Sequence, residues 1–262
     1  MSPVALVTGA GRGIGAATVR RLAAAGWAVV AVDRCADDPT LPYAMAGPED
    51  LDAVVREAGD PERVVGVHAD VRDAEAMSGA IGEAEQRFGG VDALVGVAGV
   101  IAGGVPLWQM PPEQVRTVLD TDLGAQVTLA RVGIPALVRR PQPRRGRFLA
   151  VASAAATRGL PMLAAYCAAK AGVTGLVRAL AAELRGTGVT ANAVSPGSTR
   201  TPILDESARL YDLPSAEQFA TQQPLDRLLD PDEVAAALAW LASEESSGMT
   251  GAVVPVDGGL AL

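Results

Sequence analysis

Short apolar runs alternate along the chain with longer segments in which apolar positions recur every three or four residues. Runs of the first kind are typical of buried strands, and segments of the second kind are typical of amphipathic helices. Seven strands are predicted, at residues 4–8, 28–33, 64–69, 93–97, 147–152, 190–194 and 252–256. The spacing between them leaves room for a connecting helix in most of the intervals.

The helical pattern covers residues 14–25, 51–58, 74–88, 112–139, 163–184 and 232–243. Gly26 is a stop signal after the first helix, and Pro48-Glu49-Asp50 is a start signal before the second. We expect the long pattern at 112–139 to be one or two helices, interrupted near Pro135. Residues 201–224 show no clear period and are expected to be irregular.

Strands that alternate with helices predict βαβ units, and therefore a parallel sheet. We expect the α/β class, with a doubly wound sheet of about seven strands and helices on both faces. All of residues 1–262 are assigned to a single domain. Ligands of such sheets bind at the carboxyl ends of the strands.

Composition narrows the function classes. The chain is 49% hydrophobic and 20% charged, with a net charge of −8, which fits a globular protein and argues against nucleic-acid binding. No apolar run approaches the roughly 20 residues of a membrane span. A single histidine, His68, cannot build a multi-histidine metal site, and two cysteines are too few for a disulfide scaffold. With no secretion signal before the first strand, we expect a cytoplasmic enzyme without a metal.

The first strand leads directly into a glycine-rich loop and then a helix. Glycines allow a tight turn and a close approach to a pyrophosphate, and the helix N-terminus supplies N–H donors. The sequence therefore predicts a nucleotide site. The residues assigned to it here are Gly9, Arg12, Gly13, Ile14 and Gly15.

Asp33 ends the second strand, twenty positions after Gly13. A carboxylate there accepts hydrogen bonds from the adenosine ribose and repels the 2′-phosphate of NADP, so NAD is the predicted cofactor. Arg34 follows directly and could soften this preference. Asp70, which ends the third strand, either reaches the adenine or is an ordinary helix N-cap.

Ser153 follows the fifth strand, and Tyr166 and Lys170 lie four positions apart in the next predicted helix. Residues at this spacing share one helix face. Lys170 is the only lysine in the chain. A nearby ammonium lowers the pKa of a tyrosine, so Tyr166 could take the proton of an alcohol while Ser153 holds the substrate oxygen.

These motifs, together with Pro196-Gly197, occur in the order and at the spacing of the short-chain dehydrogenase/reductase family, which the whole chain resembles. The resemblance implies a Rossmann-like fold, NAD(P)(H)-dependent oxidation of an alcohol or reduction of a carbonyl, and a homotetramer or dimer. It also implies that Lys170 binds the nicotinamide ribose. Cofactor contacts are further expected from the ends of the third, fourth and sixth strands, at Val71, Ala98, Gly99, Pro196, Gly197, Thr199 and Thr201.

Two family features are absent from this sequence. The family's Asn-Asn-Ala-Gly segment reads Gly96-Val97-Ala98-Gly99 here, and its catalytic asparagine is replaced by Asp122. An aspartate could hold the same relay water or could introduce a charge. Asp122 is therefore included among the candidate catalytic residues.

The segment near residues 36–60 is similar to an insert in actinobacterial enzymes of this family that work with the redox carrier mycofactocin, the carveol dehydrogenase-like group. That resemblance implies a tightly held NAD that does not exchange with the free pool, with mycofactocin as the external electron carrier. The alternative is a loop without such a function.

The substrate is expected to be an uncharged, fairly hydrophobic secondary alcohol or ketone, because residues 104–108 and the lid expected near 201–225 are apolar. Two other functions remain open. One is an ordinary enzyme of the family with freely exchanging NAD(H) or NADP(H), and the other is a nucleotide-binding regulator without turnover.

Overall fold

The computed structural model describes residues 2–60 and 62–262, so residues 1 and 61 of the predicted domain lie outside the described part. The strands are β1 (Val4–Thr8), β2 (Ala28–Asp33), β3 (Val64–His68), β4 (Ala93–Gly96), β5 (Arg147–Val151), β6 (Thr190–Pro196) and β7 (Val253–Val256). They form one parallel sheet in the order β3-β2-β1-β4-β5-β6-β7. The predicted doubly wound α/β fold is confirmed.

Eight α-helices flank the sheet in the described chain. They are α1 (Gly13–Ala24), α2 (Pro48–Glu57), α3 (Ala74–Phe88), α4 (Pro112–Leu119), α5 (Ala125–Arg139), α6 (Ala164–Glu183), α7 (Pro202–Leu210) and α8 (Pro231–Ala242). Short 3₁₀ turns occupy Leu107–Gln109, Ala154–Ala156, Ala216–Gln222 and Glu244–Ser246.

Alternating strand residues divide the core into two layers, as the two-residue period of a strand requires. Leu6, Leu94 and Phe148 face the layer that packs against α3, α5 and α6. Their neighbours Val7, Val95 and Leu149 face the layer that packs against α1, α2 and α8. Burial on both faces explains why these strands read as continuous apolar runs.

The break in the predicted helix at 112–139 lies elsewhere than expected. Pro135 lies inside α5, and the interruption is a π-helical turn at Asp120–Gly124 that joins α4 to α5. The wider turn directs Asp122 inward, where its Oδ1 accepts a hydrogen bond from the Val100 N–H at 2.8 Å. Tertiary contacts therefore set the break, and the proline does not.

The irregular segment predicted at 201–224 is also wrong in part, because it contains α7. Thr201 is the N-cap of this helix and Pro202 is its first residue. Threonine at the N-cap followed by proline is a start signal that the period analysis missed. The rest of the segment includes the 3₁₀ turn at Ala216–Gln222.

Candidate active site

A cleft of about 560 Å³ opens at the carboxyl ends of the strands. The predicted site residues meet there, although they come from every part of the chain. Those that line the cleft are Gly9, Arg12, Gly13, Ile14, Gly15, Asp33, Arg34, Asp70, Val71, Ala98, Gly99, Ser153, Tyr166, Lys170, Pro196, Gly197, Thr199 and Thr201. Asp122 is fully buried behind the wall of the cleft.

The loop between β1 and α1 depends on its glycines. Gly9 has φ of +66°, and a Cβ there would lie 2.7 Å from the backbone of Ala98. A Cβ on Gly15 would overlap the carbonyl of Gly9, and one on Gly13, at φ +57°, would approach Thr201 at 3.2 Å. The loop therefore packs closely against the residue Ala98 after β4, and α1, which begins at Gly13, packs its first turn against the loop and Thr201.

Asp33 lies at the end of β2 and is tied to the same loop. Its Oδ2 accepts a hydrogen bond from the Gly11 N–H at 2.9 Å, and its Oδ1 accepts one from the Cys35 N–H at 3.2 Å. These bonds hold the carboxylate at the cleft, in the position expected for a partner of the ribose hydroxyls.

Asp70 is not a helix N-cap. The N-cap of α3 is Asp73, whose carboxylate accepts hydrogen bonds from the Glu75 and Ala76 N–H groups. The Asp70 carboxylate instead accepts a hydrogen bond from Arg72 Nη2 at 2.6 Å and lines the cleft. The N-cap alternative for Asp70 is therefore wrong.

Ser153, Tyr166 and Lys170 come together at the other end of the cleft. Ser153 follows β5, and its Oγ accepts a hydrogen bond from the Ala155 N–H at 3.1 Å. Lys170 is buried and donates from Nζ to the carbonyl of Val151 at 3.2 Å. The same Nζ lies 5.6 Å from the centre of the Tyr166 ring. The four-residue spacing on α6 thus places both side chains beside the end of β5.

The pKa of Tyr166 departs from the sequence-based expectation. Burial raises it, the negative charge of Asp122 raises it further, and the Ser153 hydroxyl opposes the rise. The expected lowering of this pKa by Lys170 is not found, and removal from water, which disfavours the charged phenolate, is the largest effect.

Asp122 lies against Lys170 with its carboxylate fully enclosed. Oδ1 is 3.9 Å from Lys170 Nζ, and Oδ2 has no hydrogen-bond partner within residues 2–60 and 62–262. Burial raises the pKa of Asp122 to about 6, although Lys170 and the Val100 N–H act in the opposite direction. A Cβ on Gly99 would lie 2.8 Å from Oδ1, so Gly99 separates this carboxylate from the cleft.

The loop after β6 carries Thr199 and Thr201 into the cleft. Thr201 caps α7 by accepting a hydrogen bond from the Leu204 N–H, and it donates to the carbonyl of Thr199 at 3.2 Å. Gln223 fastens the same loop, since its side chain accepts from the Ser198 N–H at 2.8 Å and donates to the Ser198 carbonyl. Gln223 was not found from the sequence, because no local pattern marks it.

The segment before α2 is anchored to two distant parts of the chain. The hydroxyl of Tyr43 accepts a hydrogen bond from the Ile101 N–H at 2.9 Å. Thr40 hydrogen-bonds the hydroxyl of Thr117 on α4 at 2.8 Å. Ala46 packs against the glycine loop, where a Cβ on Gly11 would lie 2.7 Å away. Residues 34–47, which we call the β2–α2 segment, thus cover one side of the cleft.

The opposite end of the cleft is mainly apolar. Leu204, Tyr211, Leu213 and Phe219 line it, and the rings of Tyr211 and Phe219 meet edge to face at 6.2 Å. Tyr211 also donates to the carbonyl of Pro161 at 2.7 Å. This contact connects the region after α7 to the loop that precedes α6.

Residues 104–108 do not contribute to the cleft as their apolar character suggested. Trp108 is 84% exposed and Leu107 is 48% exposed. Both lie in the 3₁₀ turn at Leu107–Gln109, outside the cleft.

Within the described part of the chain, no three His, Cys, Asp or Glu side chains are grouped as a metal site would require. No helix described for residues 2–60 and 62–262 combines the length and the apolar character that a membrane crossing needs.

Comparison with known proteins places the chain in a family. Residues 9–261 match the family model described as Enoyl-(Acyl carrier protein) reductase. The chain is 39% identical to the short-chain reductase protein NovJ of Streptomyces niveus, over 98% of this chain and 93% of that protein. It is 36% identical to cis-4-hydroxycyclohexanecarboxylate dehydrogenase of Sinomonas cyclohexanicum, over 98% and 95%.

Solved structures agree with the sequence comparison. The crystal structure of carveol dehydrogenase from Mycobacterium avium in complex with NAD superposes with a TM-score of 0.91 at 30% identity, over 98% of this chain and 97% of that one. A short-chain dehydrogenase from Mycobacterium paratuberculosis bound to NAD superposes with a TM-score of 0.86 at 30% identity, over 99% and 97%. The chain therefore belongs to the short-chain dehydrogenase/reductase family and is an oxidoreductase.

Proposed function

We propose that this protein is an NAD-dependent dehydrogenase that interconverts a secondary alcohol and a ketone. The observation that carries the proposal is the meeting of Ser153, Tyr166 and Lys170 in one cleft with the glycine loop and Asp33. A nucleotide regulator would have no use for the first three residues together. The single-domain organisation of residues 1–262 belongs to the same proposal.

Two independent features of the cleft are suited to binding NAD. Gly9, Gly13 and Gly15 allow close packing against Ala98, the Gly9 carbonyl and Thr201, at the start of a helix whose first N–H groups suit phosphates. Asp33 offers a carboxylate at the end of β2, which suits the two ribose hydroxyls of NAD and opposes a 2′-phosphate. The cofactor-bound relatives described above support the same assignment.

The reaction needs one proton transfer from the protein. When bound, an oxidised nicotinamide supplies the hydride acceptor and a positive charge that counters the raised pKa of Tyr166. Ser153 holds the substrate oxygen, and the Tyr166 phenolate takes the alcohol proton. Lys170, 5.6 Å from the tyrosine ring, stabilises that phenolate and binds the nicotinamide ribose.

Asp122 acts through Lys170 in this proposal. Its carboxylate is fully buried, so a substrate in the cleft cannot touch it. Its Oδ1 lies 3.9 Å from Lys170 Nζ, and Asp122 is not one of the residues that line the cleft. We therefore assign Asp122 as a positioning residue that fixes the lysine, in place of the family's asparagine.

The substrate is proposed to be uncharged and fairly hydrophobic, because Leu204, Tyr211, Leu213 and Phe219 dominate its end of the cleft. Residues 201–225 serve as the lid. Rates on neutral and carboxylate-bearing alcohols of similar size test this proposal, and a clear preference for the charged compounds would contradict it.

We further propose that NAD stays bound through turnover and passes its electrons to mycofactocin. The β2–α2 segment supports this, because it is fastened to Ile101 and Thr117 and covers the cleft beside the glycine loop.

The working form is proposed to be a homotetramer or dimer.

The deciding measurement is to denature the purified protein and quantify the nucleotide that is released. Close to one NAD per chain, together with alcohol oxidation that needs an artificial electron acceptor, is the expected result. A nucleotide-free protein that oxidises alcohols only with added NAD would mean an ordinary, freely exchanging enzyme. Released NADP would contradict the proposal that the Asp33 carboxylate opposes a 2′-phosphate.

A further inference from the structure

Two arginines at the Asp33 end of the cleft are held by one buried carboxylate. Asp38, in the β2–α2 segment, is only 6% exposed. Its Oδ2 accepts hydrogen bonds from Arg34 Nη1 at 2.9 Å and from Arg72 Nη1 at 3.0 Å. Its Oδ1 accepts from the backbone N–H and the hydroxyl of Thr40, at 3.1 and 2.7 Å. Oδ1 therefore binds Thr40, and Oδ2 binds both arginines.

Other donors of both arginines also bind groups of the protein. Arg34 donates from Nε and Nη2 to the carbonyl of Ala36, at 3.0 and 2.7 Å. Arg72 donates from Nε and Nη2 to Asp70. Arg34, Asp38, Asp70 and Arg72 all line the cleft that contains Asp33.

This arrangement bears on the choice between NAD and NADP. The two cofactors differ by a 2′-phosphate, for which arginine is the best-suited partner because its planar fork matches the phosphate oxygens. Two arginines beside the end of β2 would be the natural donors. Here the carboxylates of Asp38 and Asp70 pair with both guanidinium groups, and Asp33 adds a third carboxylate at the end of β2.

The Asp38 carboxylate carries a negative charge while it binds the two arginines. Burial pushes the pKa of Asp38 upward, but the hydrogen bonds from Thr40, Arg34 and Arg72 outweigh burial and hold the pKa well below its usual range. The carboxylate is therefore ionised at neutral pH.

We propose that Asp38 is a second determinant of cofactor specificity, which excludes NADP by binding the two guanidinium groups that would otherwise donate hydrogen bonds to its 2′-phosphate. The inference rests on the proposed function in one respect, that this cleft binds NAD. It differs from the assignment of Asp33, which acts on the ribose itself.

Asp38→Asn tests the proposal with little disturbance. Asparagine can keep its carbonyl oxygen on Thr40, while its amide replaces the oxygen that binds both arginines and cannot accept from them. Asp37→Asn is the matched control, because the neighbouring carboxylate accepts from the Met45 N–H and contacts neither arginine. Each protein is unfolded to release its nucleotide, refolded in equal concentrations of NAD⁺ and NADP⁺ and freed of unbound nucleotide. It is then denatured, and both nucleotides are counted by mass spectrometry.

We expect Asp38→Asn to raise the bound NADP:NAD ratio at least tenfold and Asp37→Asn to leave it within twofold of the unmodified protein. Adding Arg34→Ala to Asp38→Asn should remove most of the gain. A ratio within twofold for Asp38→Asn would overturn the proposal, as would a gain that survives removal of both Arg34 and Arg72. If Asp38→Asn does not fold, Asp38→Ser, which also lacks the carboxylate, must show the same rise. An unmodified protein that binds neither nucleotide would instead contradict the proposed function.

Discussion

The ammonium of Lys170 lies 3.9 Å from the carboxylate of Asp122, and both side chains are buried. Lys170 is the only lysine in the chain, and the groups that face this carboxylate are few: Lys170 and Tyr166 on α6, Tyr43 from the β2–α2 segment, and the Val100 N–H. A second charge therefore lies directly behind the residue that is proposed to assist Tyr166.

Asp122→Asn should change how stability depends on pH. The pKa of Asp122 is raised from 3.8 to about 6 by burial, so the folded state binds this proton more tightly than the unfolded state does. The stabilisation is complete below the unfolded value and is lost as the pH rises through the folded one. Relative to Asp122→Asn, the free energy of unfolding of the unmodified protein should fall by roughly 2–3 kcal/mol between about pH 4 and pH 7.

Urea unfolding across this pH range measures the effect. Asp120→Asn, at an exposed carboxylate of the same π-helical turn, is the matched control and should run parallel to the unmodified protein. If Asp122→Asn also runs parallel to it, the burial argument for Asp122 is wrong.

Tyr166→Phe should reduce turnover strongly and leave nucleotide binding intact. Removal of the proton-transferring hydroxyl is expected to lower kcat by about 10²–10⁴-fold. Steady-state rates and the nucleotide content of the purified variant are the two measurements. Tyr211→Phe is the comparison variant: its hydroxyl donates to the carbonyl of Pro161 and has no part in the proposed proton transfer, so KM can change while kcat should change by a few-fold at most. Unchanged turnover in Tyr166→Phe would remove Tyr166 from the mechanism.

Tyr43→Phe should loosen the β2–α2 segment. The substitution removes the acceptor for the Ile101 N–H, and an unsatisfied buried amide costs about 1–3 kcal/mol. We expect a lower free energy of unfolding and a several-fold faster release of bound NAD. The release rate is measured by diluting the protein into a nucleotide scavenger. Equal release rates would show that this contact does not help to retain the cofactor.

Gly9→Ala and Gly79→Ala should have opposite effects on stability. Gly9 has φ of +66° and would bring its Cβ to 2.7 Å from Ala98, so Gly9→Ala should cost at least about 1–2 kcal/mol. Gly79 lies within α3, where a Cβ would meet nothing within 4 Å, and Gly79→Ala should stabilise the protein by about 0.5–1 kcal/mol. Denaturant unfolding of both variants checks this. A Gly9→Ala protein as stable as the unmodified one would contradict the described loop geometry.

Local signals in the sequence were sufficient for the fold and for most of the residues at the cleft. Strand runs, the glycine loop and the four-residue spacing of Tyr166 and Lys170 each depend on a few neighbouring positions. Since the carboxyl ends of parallel strands share one edge of a sheet, Asp33 and Ser153 could be expected at the same edge before any contact was known. Small errors in the predicted ends of β3, β6 and α1 arise because the hydrogen bonds at the ends of a strand or helix depend on the neighbouring segments.

Contacts between distant segments were decided by the tertiary structure alone. Asp38 meets Arg72 across 34 positions and Tyr43 meets Ile101 across 58, and no periodicity encodes either pairing. The π-helical turn that directs Asp122 inward also depends on a distant contact, because Asp122 accepts a hydrogen bond from Val100 in another loop. By itself, the sequence determined which chemical groups were available and which edge of the sheet they would reach. Only the packed structure decided which of those groups neutralise one another, because burial and charge pairing depend on the whole surroundings of a side chain.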